Sequence, residues 1–267
     1  MIVAVIGAGK IGEAVADSIG GSRQVSKVIM TKRNLSTLAP SRSGKVVAIS
    51  DNRDAARRAD IILIAVKAGD AKHVLGEISQ FTAGKIVISL MAAITIERLE
   101  RALPKAKVVR SMPNIAAVIG EAITAYSLGT KITVADEAKV KFVLGCFGDS
   151  IVVPESLLNP VTALSGSGPA YIAVVIDAMV SAGLKVGIPR EIALKLVTKT
   201  LTGTANLLSE KRMHPAELRD TVTTPAGTTI AGIYELERGA LRTSIMNAVE
   251  AATAAAEKVA KKFESEG

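Results

Sequence analysis

The chain has no tryptophan, one cysteine, two histidines and only 3% aromatic residues among its 267 residues. With Cys146 alone, no intrachain disulfide can form, and nothing argues for an oxidising compartment. Cys146 lies among Leu144, Gly145 and Phe147 with no local cationic cluster, so a packing role is expected for it rather than nucleophilic chemistry. His73 and His214 have no cysteine cluster to complete a metal site, and both are expected at the surface or in hydrogen bonds; no metal is expected. The scarcity of aromatics removes base-stacking platforms, and the 33 Lys and Arg residues are scattered rather than clustered. Nucleic-acid binding is therefore not expected despite a formal charge of +8; a solvated basic surface is. The longest apolar run, Ile86 to Ile96, holds Ser89 and Thr95 and is far short of the roughly 20 residues of a membrane span. The apolar amino terminus runs straight into glycines without a charged leader. These features lead to the expectation of a cytoplasmic protein without a membrane segment.

What the chain does have is a hydrophobic content of 49%, enough for a sizeable core. Short β-branched runs recur at Ile2–Ile6, Val28–Thr31, Val46–Ile49, Ile61–Val66, Ile86–Leu90, Val108–Met112 and Ile151–Val153, alternating with helical stretches. Runs apolar on both faces predict a parallel sheet covered by helices on either side. The pattern ends near Pro154. Beyond it, Pro160–Gly187, Arg190–Glu210 and Leu241–Phe263 are long Ala- and Leu-rich segments without strands. Gly187 is expected to close one helix, Pro189 to begin the next, and Pro215 to begin a short one. The expected fold is thus α/β: a Rossmann-type nucleotide-binding domain over 1–154, followed by an all-α substrate and dimerisation domain over 155–267. The segment Ala170–Leu184 is apolar nearly all round, and a homodimer through the helical half, or a larger homo-oligomer, would bury it.

Strand Ile2–Ile6 leads into Gly7-Ala8-Gly9-Lys10-Ile11-Gly12, a G-x-G-x-x-G turn that opens a helix. The first glycine permits the tight turn, the second lets a pyrophosphate approach the backbone, and the third lets helix and strand pack closely. The helix start then offers free N–H groups and a partial positive charge to phosphates. Dinucleotide enzymes that take NAD place an acid at the end of the second strand, on the adenine ribose. Here that stretch reads Thr31-Lys32-Arg33-Asn34. Lys32 and Arg33 suit a 2′-phosphate, with Thr31 and Asn34 as hydrogen-bonding neighbours, so NADP(H) is expected, with NAD(H) possible. A solvated basic loop is the alternative.

Two stretches of the helical half, Thr162-Ala163-Leu164-Ser165-Gly166-Ser167-Gly168-Pro169-Ala170-Tyr171 and Asp220-Thr221-Val222-Thr223-Thr224-Pro225-Ala226-Gly227-Thr228-Thr229, together with Met112-Pro113-Asn114 and Ala65-Val66-Lys67, closely resemble Δ1-pyrroline-5-carboxylate reductase. The resemblance spans nearly the whole chain. It implies reduction of a cyclic imine to L-proline with NAD(P)H, at the last step of proline biosynthesis, with this small molecule as the substrate. It places Thr229 against the ring nitrogen, and Glu155, Thr162, Ser165, Ser167, Ala226, Gly227 and Thr228 about the substrate. Asn52, Ala65, Val66 and Lys67 match cofactor loops, with Lys67 open to either cofactor or substrate. Met91 and Ala92 match the nicotinamide side, and Asn114 matches a family motif counted with the cofactor residues.

The chemistry of these residues agrees. A ring with a carboxylate needs an anion cradle, and backbone N–H groups at the start of the segment after Thr224–Thr229 can form one. The same loop also allows Thr228 or Thr229 simply to cap a helix, and Asn52 to cap the helix beginning near Arg53. Related hydroxyacid dehydrogenases carry a catalytic lysine and an asparagine where this chain has Ile172 and Val175. Alcohol oxidation needs a base; imine reduction does not, and orientation of nicotinamide against ring suffices. The remaining alternatives are a reductase of another cyclic imine and a non-catalytic NADPH sensor. The chain also departs from the family: Ala226 replaces a glycine of the family's Ser-Pro-Gly-Gly-Thr-Thr loop and Thr224 its serine, Asn159 stands for an aspartate, and Lys10-Ile11 for Asn-Met. An alanine at 226 fits without strain only with negative φ.

Overall fold

The computed structural model describes residues 1–37, 41 and 43–265. Eight strands form a single sheet: β1 (Ile2–Ile6), β2 (Lys27–Thr31), β3 (Val46–Ile49), β4 (Ile61–Ile64), β5 (Ile86–Ser89), β6 (Lys107–Met112), β7 (Ala122–Leu128) and β8 (Gly148–Val152). Their order is β3-β2-β1-β4-β5-β6-β7-β8. Among the helices are α1 (Lys10–Gly21), α2 (Asn52–Arg58), α3 (Ala71–Ile78), α4 (Ile96–Ala102), α5 (Val134–Gly145), α6 (Leu158–Val161), α7 (Gly168–Lys185), α8 (Arg190–Lys211), α9 (Pro215–Thr221), α10 (Thr228–Arg238) and α11 (Leu241–Ser265).

Alternation in the strands sets the two layers. Val3 and Val5 of β1, with Ile61 and Leu63 of β4, join a core cluster that includes Val15, Ala16 and Ile19 of α1 and Val140, Val143 and Leu144 of α5. Ala4 and Ile6, with Ile62 and Ile64, join the other cluster, against Ala55, Val74, Leu75 and Leu99 from α2, α3 and α4. A strand buried on both faces reads as a continuous apolar run, as β1 and β4 do.

The seven strands expected from sequence are present, but the sheet is mixed and has an eighth member. β7 pairs antiparallel with β6 through Val109–Leu128 to Met112–Ala125, and parallel with β8. The link from Met112 to Ala122 holds one 3-10 turn, Ile115–Ile119, too short for the crossover helix a parallel return needs. The chain therefore turns back beside β6. Gly148 lets β8 come close: its φ is +142°, and a Cβ there would lie 2.0 Å from the Ala122 carbonyl oxygen.

The described chain divides into two compact units, 1–167 with 252–267, and 168–251. The expected boundary at 154/155 differs because α6 and the turn after it pack on β6 and β7, and because the end of α11 returns to the first unit. Phe263 packs beside the α2–α4 layer, and its carbonyl accepts a hydrogen bond from Arg98. In the second unit, Gly183 of α7 lets α8 approach: a Cβ there would meet the Ala193 methyl at 3.0 Å. The helix limits expected at Gly187, Pro189 and Pro215 hold. Gly187 has φ +91°, Pro189 is the cap residue of α8, and Pro215 opens α9, whose start is capped by His214 Nδ1 accepting from Ala216 N at 3.2 Å. The helical stretch Glu155–Lys185 is long and apolar enough, by length and composition alone, to cross a membrane.

One ion pair ties α5 to the sheet. Lys107 Nζ lies 2.8 Å from Asp136 Oδ2, and Asp136 also accepts from Thr133 in a capping box. These hydrogen bonds hold the Asp136 carboxyl at about 2, below its ordinary 3.8. A depressed carboxylate stabilises the fold above its unfolded pKa and loses that contribution as pH falls through its folded one. Asp136→Asn should therefore cost about 2 kcal/mol at neutral pH, and the difference from wild type should shrink between pH 4 and pH 2, as read by denaturant titration.

Candidate functional site

The sheet order reverses at β1, which pairs with β2 on one side and β4 on the other. Loops leaving those strands on either side of such a switch point frame a crevice. Here it is a cavity of about 520 Å³ lined by Gly7, Ala8 and Gly9 after β1, Thr31 to Asn34 after β2, and Ala65 to Lys67 after β4. Asn52, Asp70, His73 and Glu77 complete its wall.

The three glycines play different parts. Gly7 has φ +99°, and a Cβ on it would sit 2.5 Å from Val66 Cγ1. A Cβ on Gly12 would lie 2.1 Å from the Gly7 carbonyl oxygen, so the first turn of α1 rests directly on the loop. Gly9 has nothing within 4 Å of its missing Cβ and is the N-cap of α1, with no side chain closing that helix end. The free N–H groups of that first turn remain available, as a pyrophosphate requires.

A chain of hydrogen bonds holds the Gly7 turn. The Gly7 N–H donates to Thr31 Oγ1 at 3.3 Å, Thr31 Oγ1 donates to Asn52 Oδ1 at 2.7 Å, and Asn52 Nδ2 donates to Glu77 Oε2 at 2.7 Å. His73 Nε2 sits 3.2 Å from Glu77 Oε1. Thr31 is 2% exposed and its single proton is committed to Asn52, so it braces the loop rather than reaching out to a 2′-phosphate as the sequence suggested. Asn52 is not the cap of α2 either. Asp51 is, accepting from Arg53 N at 2.8 Å, which leaves Asn52 as the strut. Sequence reasoning missed Glu77; the one signal was its i,i+4 spacing from His73, which put both on one face of α3.

Other expected cofactor residues fall outside this lining. Lys10 is exposed at the start of α1, and Ile11 packs against the core. Met91 is buried in the α2–α4 layer with its N–H donating to Ser89 Oγ at 3.2 Å, while Ala92 is exposed. Next to them Ala93 has φ +66°. Asn114 caps the Ile115–Ile119 turn through Ala116 N. Lys67 is exposed and has no carboxylate partner among the described residues.

The stretch Thr162–Tyr171 includes a π-helical turn, Thr162–Gly166, a local widening often found at working sites. Ser167 N donates to Thr162 O at 2.9 Å, and Thr162 Oγ1 donates to Leu158 O at 2.7 Å. Ser165 Oγ, by contrast, is buried without a hydrogen-bond partner among the described residues. An orphaned buried hydroxyl is costly unless something else completes it. Glu155 Oε1 accepts from Ile96 N at 2.7 Å and from Arg110 Nη1 at 3.1 Å. Arg110 is 4% exposed and also donates to Asn159 Oδ1 at 3.0 Å. Because Asn159 is neutral, Glu155 is the counter-charge of a buried cation. Arg110 went unrecognised in the sequence, although it is the lone charge between Val109 and Ser111.

In the second unit, Gly227 N donates to Thr224 O at 3.0 Å, and Pro225 and Ala226 occupy the middle of that turn. Ala226 has φ +56°. The turn type with proline second and a left-handed third residue favours glycine there, so the methyl of Ala226 is strained. Gly227 is the N-cap of α10 and supplies no side-chain cap; Thr228 and Thr229 lie inside the first turn, so neither caps the helix. Side-chain caps close α2, α4, α5 and α9, from Asp51, Thr95, Thr133 and His214, while α3, α6 and α8 begin at Asp70, Leu157 and Pro189 without one. Outside these sites, Cys146 packs on the core, and burial pushes its thiol pKa up.

Residues 155–259 match the family model described as pyrroline-5-carboxylate reductase dimerisation, and residues 2–93 match the model described as NADP oxidoreductase, coenzyme F420-dependent. The pyrroline-5-carboxylate reductase of Arabidopsis thaliana is 37% identical over 94% of this chain and 92% of its own length. That of Methanosarcina acetivorans is 38% identical over 96% of this chain and 97% of its own. The crystal structure of Plasmodium falciparum pyrroline carboxylate reductase with NADP bound is similar at a TM-score of 0.86 and 29% identity, covering 97% of this chain and 98% of that one.

Two stability measurements check this geometry. Ala226→Gly should stabilise by about 1 kcal/mol, since glycine adopts the left-handed conformation without the Cβ clash. Glu155→Ala, which leaves Arg110 buried without its counter-charge, should destabilise by roughly 2–3 kcal/mol in denaturant titrations; a loss near zero would show that Glu155 does not carry the pair.

Proposed function

The chain belongs to the pyrroline-5-carboxylate reductase family, and we propose that it reduces 1-pyrroline-5-carboxylate to L-proline, the last step of proline biosynthesis, preferring NADPH and admitting NADH. The observation that carries this reading is the pair of helix starts with glycine as the cap residue, Gly9 for α1 and Gly227 for α10, which leaves the backbone N–H groups of each first turn uncovered by any cap side chain. Both substrates of such a reductase are anions, and an uncapped helix start is a ready anion site. The open face of Gly9 and the 520 Å³ cavity fit a dinucleotide bound through its pyrophosphate.

When bound, the dinucleotide supplies a hydride to the imine carbon. The chain's own residues bind and orient. Backbone N–H groups of Thr228, Thr229 and Ile230 hold the carboxylate, and Thr229 Oγ1 takes up the ring nitrogen. Ser165, whose buried hydroxyl has no partner among the described residues, keeps the substrate role its motif implies. Since the nitrogen keeps its proton in the product, no residue need remove one, in keeping with Ile172 at the position where a dehydrogenase carries its lysine. Orientation is then the main contribution of the protein.

The expected domain roles are retained in this reading: 1–154 holds the nucleotide, and 155–267 holds the substrate and the dimer contact. The second unit has a small core of its own, Val180, Ala193 and Val197 with Ile176, Ile188 and Leu201 beside them. Val174 and Val186 of the same unit are 70% and 74% exposed in the single chain. A homodimer through this half covers them, and larger assemblies of dimers remain compatible with it. The single thiol suits the reducing cytoplasm.

The test is to mix the protein with NADPH and 1-pyrroline-5-carboxylate, follow the absorbance of the reduced cofactor and detect proline. Tight NADPH binding without turnover would sink the reading. Thr229→Ala should lower kcat/KM by about tenfold or more, one hydrogen bond's worth at a reacting atom, with the NADPH Kd unchanged.

A further inference from the structure

The end of β2 presents two cations and no acid, yet each cation already faces a carboxylate from elsewhere. Lys32 Nζ lies 2.6 Å from Glu13 Oε1, in the first turn of α1. Arg33 Nη2 lies 2.7 Å from Asp70 Oδ1, at the end of the short 3-10 turn Ala68–Asp70 that follows β4. Arg33 and Asp70 both line the nucleotide cavity, so their pair joins the wall built after β2 to the wall built after β4. Of the two carboxylates in that lining, Glu77 is tied to Asn52 and His73, while Asp70 holds Arg33.

We propose that Asp70 is a cofactor-discriminating residue: it holds Arg33 in the free protein, yields it to a 2′-phosphate, and thereby lowers affinity for the phosphorylated dinucleotide while leaving the site open to one with a free 2′-hydroxyl. The inference rests on the reading of Arg33 as a phosphate ligand. The Arg33 and Asp70 side chains are 82% and 40% exposed, and an ion pair in such water is weak enough to exchange. A phosphate monoester, with nearly two charges and three acceptor oxygens, outcompetes one carboxylate for a guanidinium. The displaced carboxylate remains beside the phosphate, and that repulsion has no counterpart with NADH, whose hydroxyl can donate to Asp70. An acid that dinucleotide enzymes usually carry at the end of the second strand is supplied here from the loop after β4. Asp70 also stands at the N-cap position of α3 without making a side-chain cap bond, so removing its charge leaves that helix start as it is.

The experiment measures Kd for NADPH and for NADH, by calorimetry and by fluorescence of the reduced nicotinamide, for wild type, Asp70→Asn, Arg33→Ala and the double variant. Asp70→Asn should tighten NADPH about two- to fivefold, the range of one exposed charge interaction, and leave NADH unchanged or weaker. In the Arg33→Ala background that gain should vanish. An unchanged NADPH Kd in Asp70→Asn, equal tightening of both cofactors, or a gain that survives without Arg33 each overturns the exchange. Arg33→Ala reports separately on the reading beneath it: a loss no greater for NADPH than for NADH removes Arg33 as the phosphate ligand, and the exchange with it. Thermal melts of all four proteins confirm that they are folded when titrated.

Discussion

The contact between the Gly12 position and the Gly7 carbonyl, with 2.1 Å for any Cβ placed there, is the constraint on which the nucleotide half depends. Only a bare α-carbon lets the first turn of α1 rest on the loop leaving β1, and that placement aims the helix start along the crevice where the sheet order reverses. The loop is held from behind by the Thr31–Asn52–Glu77 chain, which links the ends of β2, α2 and α3 to the Gly7 N–H. A dinucleotide therefore meets a surface shaped before it arrives. Preorganised donors need no rearrangement when charge is presented to them.

The same economy explains the second unit. Imine reduction places few acid–base demands on a protein, and none of the charged residues in the nucleotide cavity has to act as a base. What is needed is a way to hold anions by backbone alone, in an orientation that side chains cannot shift by changing rotamer. Glycine as the cap residue leaves the starts of α1 and α10 open for this, whereas α2, α4, α5 and α9 are closed by Asp51, Thr95, Thr133 and His214. A glycine cap costs only about a few tenths of a kcal/mol relative to a polar one, so leaving these two starts open is cheap. Strain adds to the same picture: Ala226 sits in the left-handed region within the loop that leads into α10. Structures retain such cost where the loop's shape matters more than its stability.

Period and composition made most of the architecture legible, because β1 and β4 are apolar on both faces and helical texture begins where strands stop. β7 escaped because Ala122-Ile123-Thr124-Ala125-Tyr126-Ser127-Leu128 interleaves small and polar residues, and its place is set by a short return from β6 rather than by its own pattern. Thr31 and Asn52 line the cavity, and their hydrogen bonds brace its loop, since a side chain's partners are decided by elements far away in sequence. Arg110 was invisible for the same reason: a lone arginine in an apolar strand reads as an exposed interruption until Glu155, 45 residues on, makes it a buried one. The consequence of Ala226 was conditional on its φ, a quantity that composition does not contain.

Cofactor choice shows most sharply why local reading has a limit. Thr31-Lys32-Arg33-Asn34, taken alone, is a basic strand end without an acid, and that pattern favours a 2′-phosphate. Folding brings Glu13 to Lys32 and Asp70 to Arg33, across separations of 19 and 37 residues, so each cation is half-neutralised before any ligand binds. The preference for one dinucleotide over another is then a difference between two exchanges of partner, not the sum of charges on one loop. Since exposed pairs contribute so little individually, small changes in the carboxylates around this strand end shift selectivity without disturbing the fold that presents it.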